Sequence, residues 1–503
     1  MAEREEKDGV GRAVAERSMA ILLVAAFFHD FGKATVLFQD RMDKDERTAQ
    51  EPVRHEFISA AVFDALLGDV ADEDFADRLS FMTDDDFRRA WASVPRAVSE
   101  ALSDPSAPLR FRFLARSGMV WDMGHLVLSH HRLPLLTPDR RPNGERMVRP
   151  DLMSEGDLGR MRPAPGEPFW KDAAMRQDVL AAARRLTPGP ALSAPFLLRV
   201  CFCMADSTAS SRARENPTRP AHAASRVAGQ WGDSLGEHTR QVMDLGRDAF
   251  ELVVGRRDDW PSMPPDRFPP WLNESFTPDL RTGGLFATVS SPDEAERLRA
   301  QMAIIAEGAM SDGASARRRL RLSLVSNAPK TEARRAKHLV KTLGFFAGDV
   351  MTYRDSPQAL TPLPLAQGCP TAALAGFHAH LDRHGVLSPP VLVCSLDQIG
   401  KSASPQYSKD LTTSLRMMNS DIAVDGADAL DDRGREVLER LMWQAGASGR
   451  RAVISGDGVP DDLTARAREA YEAGWREHAA LCGADPFVKV IVDGDDDPGL
   501  TMS

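Results

Sequence analysis

No apolar run among the 503 residues approaches the ~20 that a helix needs to cross a bilayer. The apolar segment Met19 to Phe28 is too short, lacks a small-residue cleavage site and leads straight into His29-Asp30. It therefore reads as a buried helix and not as a secretory signal. Cysteine is scarce: Cys201, Cys203, Cys369, Cys394 and Cys482 are odd in number and form no CxxC pair. That excludes a disulfide framework and points to a reduced, cytoplasmic setting, and the lack of a long apolar run argues against a membrane partner. Net positive charge is absent as well; at -10 the chain is unsuited to coating nucleic acid non-specifically.

What is present is a soluble composition and enough length for two or three domains. Basic residues cluster locally, at Arg132, Arg140, Arg141, Arg146 and Arg149 and again at Arg317, Arg318, Arg319 and Arg321. Acidic ones gather at Asp84 to Asp86 and Asp495 to Asp497. Such runs are commonly solvated faces, but a basic strip beside a reactive centre is what a nucleic-acid path needs.

Residues from about 10 to 250 read as mostly helical, broken by Pro-rich loops such as Leu133 to Pro150. The segment Asp258 to Pro278 holds six prolines and two tryptophans, which marks a boundary, because proline neither continues a helix nor donates to a ladder. Beyond it, strand-like runs appear at Gly284 to Val289, Leu320 to Val325, Pro390 to Ser395, Asp421 to Val424 and Ala452 to Ser455. Helical stretches at Pro292 to Ala306, Lys330 to Leu343 and Arg433 to Ala445 lie between several of them, so a parallel α/β sheet is expected. The division is a helical domain over 1–257, a Pro-rich linker over 258–278, an α/β lobe over 279–490 and an acidic flexible tail over 491–503.

The chemistry sits in the first domain. His29-Asp30, His55-Glu56, His130-His131 and Asp206 recur in that order, each in or beside an apolar helix-like run. Neighbouring positions on a helix point about 100° apart. A His-Asp pair at a helix end can therefore offer an imidazole to one metal while its carboxylate bridges two. Gly32-Lys33 is expected to end that helix and to set a cation near the site, useful for a phosphate. Asp206 reads as the end of another apolar helix, where a carboxylate also serves as a plain cap. Two divalent metals held by such side chains suit hydrolysis of a phosphodiester.

HDFGKATVLFQ, RHEFISA, LVLSHHRLP and MADSTASS resemble the HD nuclease domain of the CRISPR-associated helicase-nuclease of type I interference, in its subtype I-F form, over roughly residues 18 to 250. That resemblance implies a mainly α HD fold followed by an α/β RecA-like lobe. It implies one metal on His29, Asp30, Asp206 and His238, and a second on Asp30, His55, His130 and His131, with Lys33 on the scissile phosphate. His238 enters because that form looks circularly permuted: SLGEHTRQV matches an E-H-L block, although Thr239 replaces the Leu and no histidine precedes His29. The implied cofactors are two divalent ions, Mn, Ni, Co, Fe or Mg.

The downstream half resembles the first helicase lobe without its nucleotide motifs. GGLFATV runs into Ser290, Ser291, Pro292, Asp293 and Glu294 where a Gly-rich loop ending GKT belongs. Gly400 to Ser402 spell GKS but follow the wrong strand. Asp425 and Asp428 remain of the Asp-Glu box, with Gly426 where the Glu belongs, and Gly456, Asp457 and Gly458 replace Ser-Ala-Thr. The chain is expected to stop before a second lobe. The expectation is therefore a nuclease cutting the displaced single-stranded DNA of an R-loop, with no ATP and no motor. Its partner would be an RNA-guided CRISPR surveillance complex, and any unwinding would fall to a separate ATPase. Two alternatives stay open: a non-catalytic docking subunit of such a complex, and an HD phosphohydrolase acting on nucleotides.

Overall fold

The structure is a computed structural model that describes residues 2–43, 51–131, 147–186, 195–215, 231–255, 260, 262–263, 267–274, 283–310, 320–327, 331–353, 386–387, 389–403, 410–482 and 484–492. The chain separates into two compact units, residues 12–255 and residues 256–503, the latter together with residues 1–11.

The first unit is helical, as expected. Its helices are α1 (Ala2–Phe28), α2 (Val36–Asp43), α3 (His55–Leu67), α4 (Phe75–Ser80), α5 (Asp84–Ser103), α6 (Met119–Ser129), α7 (Ala173–Ala183), α8 (Pro195–Glu215) and α9 (Trp231–Phe250). Every residue from Ala20 to Phe28 is buried, so the end of α1 is a core helix, apolar all round. The acidic run Asp84 to Asp86 turns out to be a helix start. Thr83 and Asp86 form a capping box, and the carboxylates favour the positive end of α5. Beyond α1, Phe31 packs on Phe169 and Trp170, each at 5.0 Å between ring centroids. This aromatic cluster fixes the turn that carries His29 and Asp30.

Among the described residues, the second unit is built on a seven-stranded parallel sheet of order β3-β4-β2-β5-β6-β1-β7. The strands are β1 (Gly284–Ser290), β2 (Leu322–Ser326), β3 (Val350–Thr352), β4 (Val391–Ser395), β5 (Asp421–Asp425), β6 (Ala452–Gly456) and β7 (Val488–Val492). The runs in β2, β4, β5 and β6 are buried throughout, the pattern of strands covered on both faces by helices. In register, the carboxyl ends bring together Ser326, Ser395, Asp425, Ser455 and Gly456.

The five expected strands are present within two residues, and β3 and β7 are additional. Because β7 reaches Val492, the sheet extends into the segment read as tail; residues 493–503 and Asp495 to Asp497 lie outside the described residues. The Pro-rich stretch is also more than a linker. Met263, Phe268 and Leu272 are buried in the core of the sheet unit, and Met263 exchanges backbone hydrogen bonds with Leu320 at 2.7 and 2.9 Å.

Candidate metal centre

Helix α1 stops at Phe28, four residues before the Gly32 that was expected to end it. His29 and Asp30 follow in a turn, and Phe31–Ala34 forms a 3-10 turn closed by Lys33 N donating to Asp30 O at 3.0 Å. The chain bends early because it passes flush against α3. A Cβ on Gly32 would lie 2.1 Å from His55 O, and Gly32 N donates to Ser59 Oγ at 2.8 Å. Glycine is needed here for close approach of two backbones.

Four more elements complete the centre. His55 is the first residue of α3, and His130 and His131 follow the last residue of α6. Asp206 lies in the middle of α8, not at its end, because the Ser/Thr-rich stretch after it continues the helix. His238 projects from α9. All seven sequence-predicted ligands are thus brought together.

The two oxygens of Asp30 divide the group. Oδ2 lies 3.2 Å from His29 Nε2 and 3.3 Å from His238 Nε2, while Asp206 Oδ1 is 3.3 Å from His238 Nε2 and 3.7 Å from His29 Nε2. On the other side, Oδ1 lies 3.6 Å from His55 Nε2 and 3.8 Å from His130 Nε2. His131 joins that second cluster, with Nδ1 3.4 Å from Asp206 Oδ2. Donor atoms of His29, Asp30, Asp206 and His238 fall within 4.8 Å of one another, as do those of His55, His130 and His131.

The residues fit metal ions. His29 Nε2, Asp30 Oδ1, His55 Nε2 and His130 Nε2 are all buried without a hydrogen-bond partner among the described residues. Unpaired buried polar atoms are costly and rare, and here four converge on one centre. The far ring nitrogens are already committed: His29 Nδ1 lies 2.6 Å from Ala26 O and His130 Nδ1 lies 2.8 Å from Val127 O. Such bonds fix the tautomer that leaves Nε2 free as a ligand. Phe202 packs edge-on against both rings and keeps this side dry.

Electrostatics follow the same layout. Burial alone would lower the His29 pKa, but the neighbouring carboxylates of Asp30 and Asp206 push it up to about 9. Burial would raise Asp30, yet the charges of His29 and Lys33 hold it well below the usual carboxylate range. Burial, with the neighbouring His131 and His29, drives His130 far down. Lys33, expected at a phosphate, is buried and turned inward, its Nζ donating to Asp30 Oδ2 at 2.7 Å. It neutralises the shared carboxylate.

Sequence reasoning gave no role to three contributors, although it named Glu56 beside His55. Glu51 and the Arg54–Glu56 ion pair flank His55, and Cys203 Sγ reaches His130 O at 3.0 Å. The four-residue spacing of Glu51 and His55 was the available signal. Of the basic strip after the His pair, only Arg149 is described; it bonds Asp151, so the strip itself lies outside the described residues.

No family model matches the chain. The chain is homologous to the CRISPR-associated nuclease/helicase Cas3 subtype I-F/YPEST of Pseudomonas aeruginosa, 24% identical over 537 aligned positions that cover 92% of this chain and 48% of the relative. The protein of the same description from Pectobacterium atrosepticum is 31% identical over 121 residues, 24% of this chain and 10% of that one. The chain therefore spans about half the length of the first relative. Among solved structures, T. fusca Cas3 is similar at 16% identity and a TM-score of 0.41, covering 92% of this chain and 50% of that one. A CRISPR RNA-guided surveillance complex in a pre-nicking state gives 14% identity and a TM-score of 0.38, covering 92% and 48%.

Proposed function

We propose that this homologue of the subtype I-F nuclease/helicase is a metal-dependent endonuclease for single-stranded DNA, recruited to the strand that an RNA-guided complex displaces, and that it has no motor of its own. The observation that carries the reading is the convergence of His29 Nε2, His55 Nε2 and His130 Nε2, buried and without a hydrogen-bond partner among the described residues, on the two oxygens of Asp30. Divalent ions held there supply Lewis acidity, which yields a nucleophile from water near neutral pH and offsets charge on a phosphodiester.

The chain's own groups do the rest. Asp30 places one oxygen on each side, and the carbonyls of Ala26 and Val127 hold His29 and His130 in register. His131, with a side chain 30% exposed, marks the open edge where a strand enters. Lys33, buried with its Nζ on Asp30 Oδ2, would meet a phosphate only by leaving that bond. Single-stranded substrate needs no unwinding once the guide complex has opened the duplex.

The sheet unit supports the absence of a motor. At the carboxyl edge of a parallel sheet, where nucleotides bind in such folds, Asp425 Oδ1 accepts from Arg297 Nε at 2.8 Å and from Ser455 Oγ at 2.7 Å, and its Oδ2 is paired with Arg335. Arg335 Nε also donates to Glu294 at 2.9 Å. Asp425, one of the two carboxylates left of the Asp-Glu box, is thus occupied from within the protein. Gly426, where the Glu belongs, has φ 80°, a left-handed conformation that a glutamate would adopt only under strain.

The test is cleavage of single-stranded DNA by the purified chain with Mn2+, with a chelator, and with Asp30→Ala. Cutting that needs metal and falls by more than the roughly 10–100-fold typical of losing a residue behind a ligand is the expected result. Cutting that survives both chelation and Asp30→Ala would remove the assignment.

A further inference from the structure

His29 and His130 both lie at helix C-termini, where the last carbonyls have no partner within the helix and Nδ1 finds an acceptor three residues back. His55 is the opposite case. As the first residue of α3 it sits among unpaired N–H groups, and no helical carbonyl is available to its Nδ1. A side chain supplies the acceptor. Glu51 places Oε2 3.3 Å and Oε1 3.4 Å from His55 Nδ1, and Oε2 also accepts from His55 N at 3.1 Å.

Glu56 is the other carboxylate nearby, with Oε2 3.5 Å from the same nitrogen. It is committed elsewhere, because the Arg54 guanidinium grips both its oxygens. The bonds of the Glu51 carboxylate, among the described residues, go to His55 alone. The loop that presents Glu51 is itself anchored: Arg54 N donates to Met147 O at 2.9 Å and Arg149 N to Pro52 O at 2.7 Å.

We propose that Glu51 is the positioning residue of the second ion site: it holds the His55 ring so that Nε2 faces Asp30 Oδ1, making the Asp30–His55–His130–His131 site depend on Glu51 while the His29–Asp30–Asp206–His238 site does not. This rests on the two-ion reading above. A carboxylate behind a ligating histidine orients the ring and raises its donor strength, and its loss typically weakens metal binding about 10–100-fold.

The experiment is calorimetric titration of Mn2+ into the metal-free full chain, compared with Glu51→Gln and Glu51→Ala. Wild type is expected to bind two ions. Glu51→Ala is expected to keep one at unchanged affinity and weaken the other about 10–100-fold. Glu51→Gln, which retains an acceptor without the charge, should lose less and guards against misfolding of the alanine variant. Two ions bound unchanged in both variants, or equal weakening of both sites, overturns the role of Glu51 and leaves the two-ion reading standing. A wild type that binds a third ion, lost in Glu51→Ala, would make Glu51 a ligand and overturn its positioning role as well. A wild type that takes up no Mn2+ overturns the two-ion reading and this inference with it.

Discussion

At the scale of single residues, the centre depends on two atoms of Asp30 facing different imidazoles, and on Gly32 letting the turn lie against α3. Gly32→Ala drives a methyl into His55 O. Overpacking of this kind costs about 1–3 kcal/mol, and here it also pushes His55 from the centre. Urea unfolding and Mn2+ titration of the variant should show both losses together; unchanged stability would contradict the close approach. A second prediction concerns pH. His29 must shed its proton to bind metal, and its pKa in the metal-free chain is raised to about 9. The sign is that Mn2+ affinity rises with pH through the neutral range, by up to about tenfold per unit for one released proton, and levels off above 9. An affinity constant between pH 6.5 and 8.5 would contradict it. The candidate ligands His29, Asp30, His55, His130, His131 and Asp206 were legible, because histidines and acids in fixed order beside apolar runs are conspicuous. His238 was reached only through the family resemblance. Glu51 was not legible, since one exposed-looking glutamate before a helix carries no signal until the helix N-terminus is seen to leave His55 without a carbonyl.

At the scale of elements, five strands could be read from continuous apolar runs. β3 is only three residues long and β7 is half-exposed throughout, so neither forms such a run. The helix Asp461–Cys482 was not among the helical stretches read from the sequence. Prolines hid the packing of Met263, Phe268 and Leu272, because proline reports on backbone geometry and not on burial. Asp206 was mistaken for a helix end because aspartate is a common cap. The ion network at the sheet edge belongs to this scale too. Arg297 and Arg335 reach Asp425 from two different helices, and Asp425 is fully buried. Arg335→Met leaves that carboxylate short of a cation and is expected to destabilise the sheet unit by about 3–5 kcal/mol, read as a lower midpoint in guanidinium. An unchanged midpoint would mean the network does not hold the edge together.

At the scale of the molecule, a helical unit carries the candidate metal centre and a parallel-sheet unit carries a carboxyl edge filled by the protein's own arginines. Among the described residues, no helix is long and apolar enough to cross a membrane. On the proposed function, a nuclease without a motor would cut only where single-stranded DNA is already presented, so its products would be set by the opened strand and not by travel along it. The direct measurement maps cut sites on a long duplex bearing a defined R-loop, with Mn2+ present and ATP varied from none to saturation. The account predicts cuts confined to the displaced strand, at the same places and rates with and without ATP. Degradation that runs far beyond the R-loop and requires ATP from the purified chain would contradict it.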